Sequence, residues 1–284
     1  MRFKNVSFTC RKRNGGGSVM NIFLKELKSH RKSLIFWSIG VFLMVASGMT
    51  KYEAYSSSGQ SINKLMADMP KSLRAVLGFN DLDLTKASGY YGMLFLYLVL
   101  MATIHAVMLG ATIIAKEERD KTSEFLFVKP VSRSKVITAK LLAALINIVI
   151  FNLATFVSSI ILLGKYSNGE AVNSEIAILM VAMFILQVLF MVIGSAIAAV
   201  KMKPKTAASV ATGILLLMYM LSMIIDLNES IKGIRYFTPF KYFEAKNVMY
   251  GGGLDVSFVV ISLILILSFL VITYVYYKKR DLNV

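Results

Sequence analysis

The sequence predicts an all-α integral membrane protein built on six transmembrane helices. Three observations carry that prediction. The chain has 284 residues and is 56% hydrophobic, above the roughly 45–50% usual for soluble domains. Its apolar residues come in long blocks, and its basic residues gather at alternate gaps between those blocks. A helix needs about 20 mostly apolar residues to cross a bilayer. Six blocks reach or approach that length: Leu34–Thr50, Tyr90–Ala115, Val136–Leu163, Ile176–Val200, Thr206–Ile225 and Val256–Tyr277. A closed barrel is excluded, because barrel strands alternate in units of ~10 residues. Lipid offers no hydrogen-bond partner, so each block must close its own backbone ladder as a helix.

Charge sets the orientation. With the N-terminal segment inside, residues 1–33, 116–140, 201–205 and 278–284 carry 22 Lys/Arg and 6 acids. The opposite segments, 51–89, 164–175 and 226–255, carry 10 of each, so the whole net charge of +16 falls on one side. Basic residues are retained on the cytoplasmic side, which puts both termini of this multi-pass chain in the cytoplasm. Nucleic acid is excluded as a partner, because the bases sit at span ends and no basic face is interleaved with aromatics. Cys10 is the one cysteine, so neither an intrachain disulfide nor a cysteine metal site can form. His30 and His105 are the two histidines; with no second histidine near either, no HExxH-type site exists. The phosphate-binding G-x-x-x-x-G-K-[ST] spacing is missing everywhere, and Gly251–Gly253 reads as a turn.

Residues 1–19 are polar, basic and glycine-rich, without apolar period, and disorder is expected. In "NGGGSVM", Gly-Gly codons precede Met20 as a ribosome-binding site read in frame would. Residues 1–19 are therefore expected to be either an artefact of an upstream start, with translation beginning at Met20, or an ordinary flexible tail, and 20–284 to be one six-span domain. From Met20, Ile22, Phe23, Leu24 and Leu27 oppose Lys25, Lys28, Arg31 and Lys32. That pattern predicts a short basic amphipathic helix lying in the inner interface, with Trp37 as its anchor. A cleaved signal peptide fits less well, since the apolar run continues to Met49.

The loop 51–89 predicts two short amphipathic helices. One carries Ile62, Leu65, Met66 and Met69; the other opens at Pro70 with Leu73, Val76 and Leu77 and ends near Gly78. "KMKPK" is so short that spans four and five must form a hairpin. Small residues recur four apart on both spans, at Gly194/Ala198, Ser195/Ala199, Ala207/Ala211 and Ser209/Gly213, a spacing that lets helices approach closely in lipid. In the last loop, Tyr236, Phe237, Phe240, Tyr242, Phe243 and Tyr250 alternate with charges, which predicts an interfacial or re-entrant helix around Pro239.

The connection Lys116–Lys140 is the most charged stretch, with seven Lys/Arg and four acids. Lys116–Val128 should continue the second span as a helix, Pro130 should break it, and Ser132 or Ser134 should cap the third. Phe125, Leu126, Phe127 and Val128 would then stand exposed in the cytoplasm, and an apolar cluster rimmed by charge marks a protein interface. Glu117, Glu118, Asp120 and Glu124 argue against simple contact with the anionic inner leaflet.

"EERDKTSEFLFVKPVSRSKVITAKLL" resembles the signature connection of bacterial type 2 ABC-transporter permeases, E-x(5–6)-[TS]-x-E/D-L-L-x(2)-P-[VI]-[ST]-R. The amphipathic start, "FTPFKYFEA" before the last span and the "YYKKRDL" tail are similar to the same family, so the resemblance covers nearly all of 20–284. Phe125-Leu126-Phe127 departs from the family's paired leucines, a difference that bears on partner choice. The resemblance implies a coupling helix docked on a separate cytoplasmic ATPase subunit, with Glu117, Glu118, Thr122, Glu124, Phe125, Leu126, Pro130, Ser132 and Arg133 in the contact. It further implies ATP and Mg on that partner and no cofactor or catalytic residue on this chain. A second permease subunit, a substrate path between the two, export, and the bacterial inner membrane are implied as well.

Two rivals stand beside this reading. An intramembrane protease with E-E-x-x-x-R fails at Thr122, where the arginine should be. A secondary transporter would place ionisable groups mid-membrane, and the span interiors offer His105, with Asn147, Asn152 and Gln187 as uncharged polar groups. Asn152, Thr155 and Ser159 share one face of the third span. They either line a substrate path or hydrogen-bond neighbouring helices.

Overall fold

The computed structural model describes residues 15–57, 69–70, 73–74, 77–78, 82–121, 131–167, 172–200 and 204–279. The helices are α1 (Gly15–Ser57), α2 (Ala87–Arg119), α3 (Arg133–Tyr166), α4 (Asn173–Val200), α5 (Ala207–Leu227), α6 (Ala245–Tyr250) and α7 (Val256–Lys279). Six of them, all but α6, are long and apolar enough to cross a membrane. The described residues contain no strand. The all-α membrane fold read from the sequence is therefore the observed one.

The first helix corrects the expected break between an interfacial helix and the first span. α1 is continuous over 43 residues, about 65 Å at 1.5 Å per residue, twice the ~30 Å hydrocarbon core. No proline interrupts it, and it begins at Gly15, within the segment expected to be disordered. It runs antiparallel to α2 in a steady register. Glu26 meets Lys116, Trp37 meets His105, Gly40 meets Met101, Gly48 meets Leu94, and Tyr52 meets Tyr90. Each pair's residue numbers add to 141 or 142. Since the second span ends near Ala115, its partner on α1 is Leu27, so the first span starts about two turns before Leu34. Lys28, Arg31 and Lys32 hide those turns from a composition window. Long basic side chains can snorkel from there to the interface.

α2 and α4 form the centre, with α1, α3, α5 and α7 around them. α2 and α4 cross so closely that a methyl group at Gly110 would strike the Met191 carbonyl, and one at Gly194 would strike that of Val107. Ser195 Oγ donates to Met191 O at 2.8 Å and lies 3.3 Å from Gly110 O. The small residues of the fourth span thus serve contact with α2. On α5, Ala207 and Ala211 are buried, but Ser209 is exposed and a methyl at Gly213 would meet nothing within 4 Å. That pair does not pack inside the chain.

Opposite the basic end, the 226–255 segment folds as two 3-10 turns, Glu229–Phe237 and Pro239–Lys241, followed by α6. The single helix expected around Pro239 is replaced by these turns. The belt of interfacial aromatics is also divided: Tyr236, Phe237 and Tyr250 are exposed, whereas Phe240, Tyr242 and Phe243 are buried. Phe240 packs on Phe190 and Tyr219, with ring centroids 5.1 and 5.3 Å apart, and Tyr242 stacks on Phe258 at 4.9 Å. Lys241 pairs with both Asp226 and Glu244, fastening the turns to the end of α5. Gly252 (φ 87°) and Gly253 (φ 112°) make the expected turn into α7. Of the two helices expected in 51–89, Ile62, Leu65 and Met66 lie outside the described residues. At Pro70 the carbonyl accepts from the N–H groups of Leu73 and Arg74, as an opening helical turn does.

Candidate functional site

The charged connection begins where α2 ends, and α2 ends sooner than expected. Its last helical residue is Arg119, and Lys121 closes it with a left-handed φ of 55°. Arg119 Nε donates to Asp120 Oδ1 at 3.0 Å, a hydrogen bond that holds the exposed Asp120 carboxyl below its ordinary range. α3 then starts on the expected cap: Ser132 accepts from the Lys135 N–H at 3.5 Å. Arg133 donates to the Lys278 carbonyl at 3.1 Å, tying the start of α3 to the end of α7.

Under this connection lies a buried group of charges that joins three helices. Lys140 on α3 has no exposed side-chain surface. Its ammonium donates to the Ile113 carbonyl and to Glu117 Oε2, both at 2.6 Å, and lies 3.6 Å from Glu26 Oε1. Glu26 on α1, 3% exposed, also takes Lys116 of α2 at 3.2 Å. Lys116 donates in turn to Ser29 Oγ at 2.7 Å. An ammonium has three donors and no acceptor; that of Lys140 makes two hydrogen bonds to α2 and stands at ion-pair distance from Glu26 of α1. Desolvating such charges is expensive, and the attraction offsets it only where geometry and hydrogen bonds are complete. Two carboxylates face two ammoniums here, so the cluster is close to neutral.

This arrangement changes the reading of Glu117. Its carboxylate turns inward to Lys140 and is 14% exposed, so it supports the connection from behind. Glu118 is half-buried on the same turn. Ser132 caps α3 and Arg133 reaches α7, as above. Thr122, Glu124, Phe125, Leu126 and Pro130 lie outside the described residues.

The third-span polar residues all make hydrogen bonds inside the chain. Ser159 accepts from the Tyr91 hydroxyl at 2.6 Å. Thr155, fully buried, donates to the Phe151 carbonyl at 2.9 Å. Asn152, half-buried, donates to Met180 O and Gln187 Oε1, each at 3.1 Å.

Three residues of the cluster escaped the sequence reading: Glu26, Lys116 and Lys140. The signals were present. Glu26 is the one acid among nine bases in residues 1–33, and Lys140 sits a turn inside the third apolar block. The two histidines also come together. His30 and His105, with Ser33, Trp37 and Thr112, line a cavity of about 210 Å³ between α1 and α2. His105 is held between Trp37 and Phe151, with ring centroids at 5.6 and 4.9 Å. Among the described residues no group of three or more His, Cys, Asp or Glu could hold a metal ion.

No curated protein matches this chain. The profile of the ABC-2 family transporter proteins matches residues 20–282, a range that takes in all six long helices, the buried charge cluster and the turns that close the opposite end. The chain belongs to the ABC-2 transporter family, as a membrane-spanning ABC transporter subunit.

Proposed function

We propose that the chain is the permease subunit of an ATP-driven exporter in the bacterial cell membrane. Both termini face the cytoplasm, a cytoplasmic ABC ATPase docks on the connection between α2 and α3, and a second permease subunit completes the path. ATP and Mg are bound and consumed on the ATPase, and this chain contributes no catalytic residue.

The observation that carries the reading is the buried Glu26–Lys140–Glu117 group at the foot of that connection. A docking element transmits force only if its base is rigid. Here the last turn of α2, the first turns of α3 and the long α1 are joined by charge-assisted hydrogen bonds in a desolvated setting, the strong kind. Movement of the connection would therefore carry α1, α2 and α3 together. A secondary transporter also uses buried ionisable groups, but these four charges satisfy one another and leave no site for a coupling ion.

The test is assembly and hydrolysis. The full chain, co-expressed with a cytoplasmic ABC ATPase from the same genome, should retain that ATPase through purification. Hydrolysis should require the ATPase, and the permease alone should show none. ATP turnover by the purified chain itself, or no association with any ABC ATPase, would overturn the proposal.

A further inference from the structure

A groove at the basic end lies between the start of α1 and the start of α3. It has a volume of about 510 Å³ and is lined by Val19, Met20 and Phe23 of α1 and by Lys135, Thr138, Ala139 and Leu142 of α3. Ligand sites of this size, apolar with a few placed polar groups, are common.

The polar groups are arranged unevenly. Lys135 is exposed in the first turn of α3, and that turn contains no acid. Thr138 is bridged to the Tyr274 hydroxyl of α7 at 2.7 Å, which brings the last turn of α7, with Lys278 and Lys279, to the edge of the groove. Arg133 is held to the Lys278 carbonyl at the same edge. The floor is apolar and the rim is cationic. None of the described lining residues is an acid. The start of α3 adds its positive dipole end to the rim.

We propose that this groove is a binding site for an anionic phospholipid of the inner leaflet. Its acyl chain lies along Phe23, Ala139 and Leu142, and its phosphate meets Lys135 at the rim. Basic pockets between helices on the cytoplasmic side hold anionic head groups in this way. The proposal rests on the inward placement of the basic end argued above. Binding to the solubilised chain does not depend on that placement, so the two can fail separately.

The experiment uses the full chain in zwitterionic detergent, with phosphatidylglycerol or phosphatidylcholine titrated in. Thermal unfolding and native mass spectrometry are the readouts. Phosphatidylglycerol should raise the melting temperature and remain bound, and phosphatidylcholine should do so much less. Lys135→Gln should weaken phosphatidylglycerol binding about five-fold, the effect of one lysine near an anionic surface. Lys165→Gln, a lysine in the last turn of α3 at the far end of that helix, should leave binding unchanged. Leu142→Trp, at a half-exposed position, should fill the groove and exclude the lipid without unfolding the chain. Equal binding of the two lipids, or full binding by Lys135→Gln and Leu142→Trp, would overturn the proposal. So would phosphatidylglycerol binding that appears only after removal of residues 1–18, because the chain's own N-terminal segment would then be the occupant.

Discussion

Lys140 and Glu117 form a 2.6 Å ion pair whose lysine is wholly shut from solvent, although 22 residues separate them along a connection rich in other charges. The pair is not a surface bridge. Removing Lys140 by substitution to methionine would leave Glu26 and Glu117 buried with Lys116 as their one remaining cation. Breaking a buried pair from one side costs about 3–5 kcal/mol. Lys140→Met should therefore lower the unfolding temperature sharply in detergent. Adding Glu117→Gln should restore much of the loss, since the Glu26–Lys116 pair that remains is neutral and leaves no orphan charge. Equal stability of the single variant and the parent protein would show that the cluster is hydrated and weak.

The fold was legible where the physics is local. A span announces itself by twenty apolar residues, a turn by Gly252–Gly253, a helix start by Ser132. Register between helices is not local. Nothing near Glu26 in the chain reveals that it meets Lys116 and Lys140, and the basic residues beside it pointed instead to a helix on the membrane surface. The same limit applies to Phe240 and Tyr242. Their aromatic-and-charge pattern fits an interface, while their burial follows from Phe190, Tyr219 and Phe258 on distant helices. Glu117 was found by its motif, but its pairing with Lys140 was not, because Lys140 sits inside the next apolar block.

Close helix approach gives a second prediction, with an internal control. Gly110→Leu places a side chain where the Met191 carbonyl lies, and overpacking costs typically ~1–3 kcal/mol and sometimes more. At the exposed Gly213 an added Cβ meets nothing within 4 Å, so Gly213→Leu should behave as a surface change, within about 0.5 kcal/mol. Thermal unfolding of the two variants should separate clearly. Similar stability for both would mean that α2 and α4 do not cross at Gly110 and Gly194.

Topology is checked by chemistry from each side. In a background with Cys10 replaced, single cysteines at Lys203 and Asn168 should react with an impermeant maleimide from opposite faces of the membrane. The Asn168 cysteine should label in intact cells, and the Lys203 cysteine only after the membrane is opened. Labelling of both from outside would refute the six-span orientation drawn from charge.

The third-span polar groups separate packing from transport. Tyr91→Phe removes the hydrogen bond to Ser159 and should cost about 0.6–1.7 kcal/mol of stability, with little change in transport. Asn152→Leu removes two hydrogen bonds to α4 and should cost a similar amount. If Asn152 lines the path, its substitution changes cargo or rate beyond what Tyr91→Phe does at matched stability. Parallel behaviour of the two variants would assign the whole face to helix packing.

The last prediction divides the connection between α2 and α3 into a docking part and a supporting part. Phe125 and Leu126 are the apolar residues proposed to enter a groove on the ATPase. Buried anchors of that kind cost ~2 kcal/mol or more when cut to alanine, so Phe125→Ala with Leu126→Ala should abolish ATPase co-purification while the permease still inserts and keeps its unfolding temperature. Glu124 and the exposed Asp120 are proposed as rim charges, worth about 0–1 kcal/mol each, and Glu124→Ala should retain the ATPase. Glu117 belongs to neither group. Because its carboxylate faces Lys140, Glu117→Gln should lower the stability of the isolated permease before it affects docking, and Lys140→Met should act in the same direction. Measuring unfolding and ATPase co-purification on the same variants therefore gives two separate patterns: binding lost with stability kept for Phe125 and Leu126, stability lost first for Glu117. If the double alanine variant retains the ATPase, the connection is not the docking element. If Glu117→Gln loses the ATPase with its unfolding temperature unchanged, then Glu117 contacts the partner directly and the inward pairing with Lys140 is not its working state.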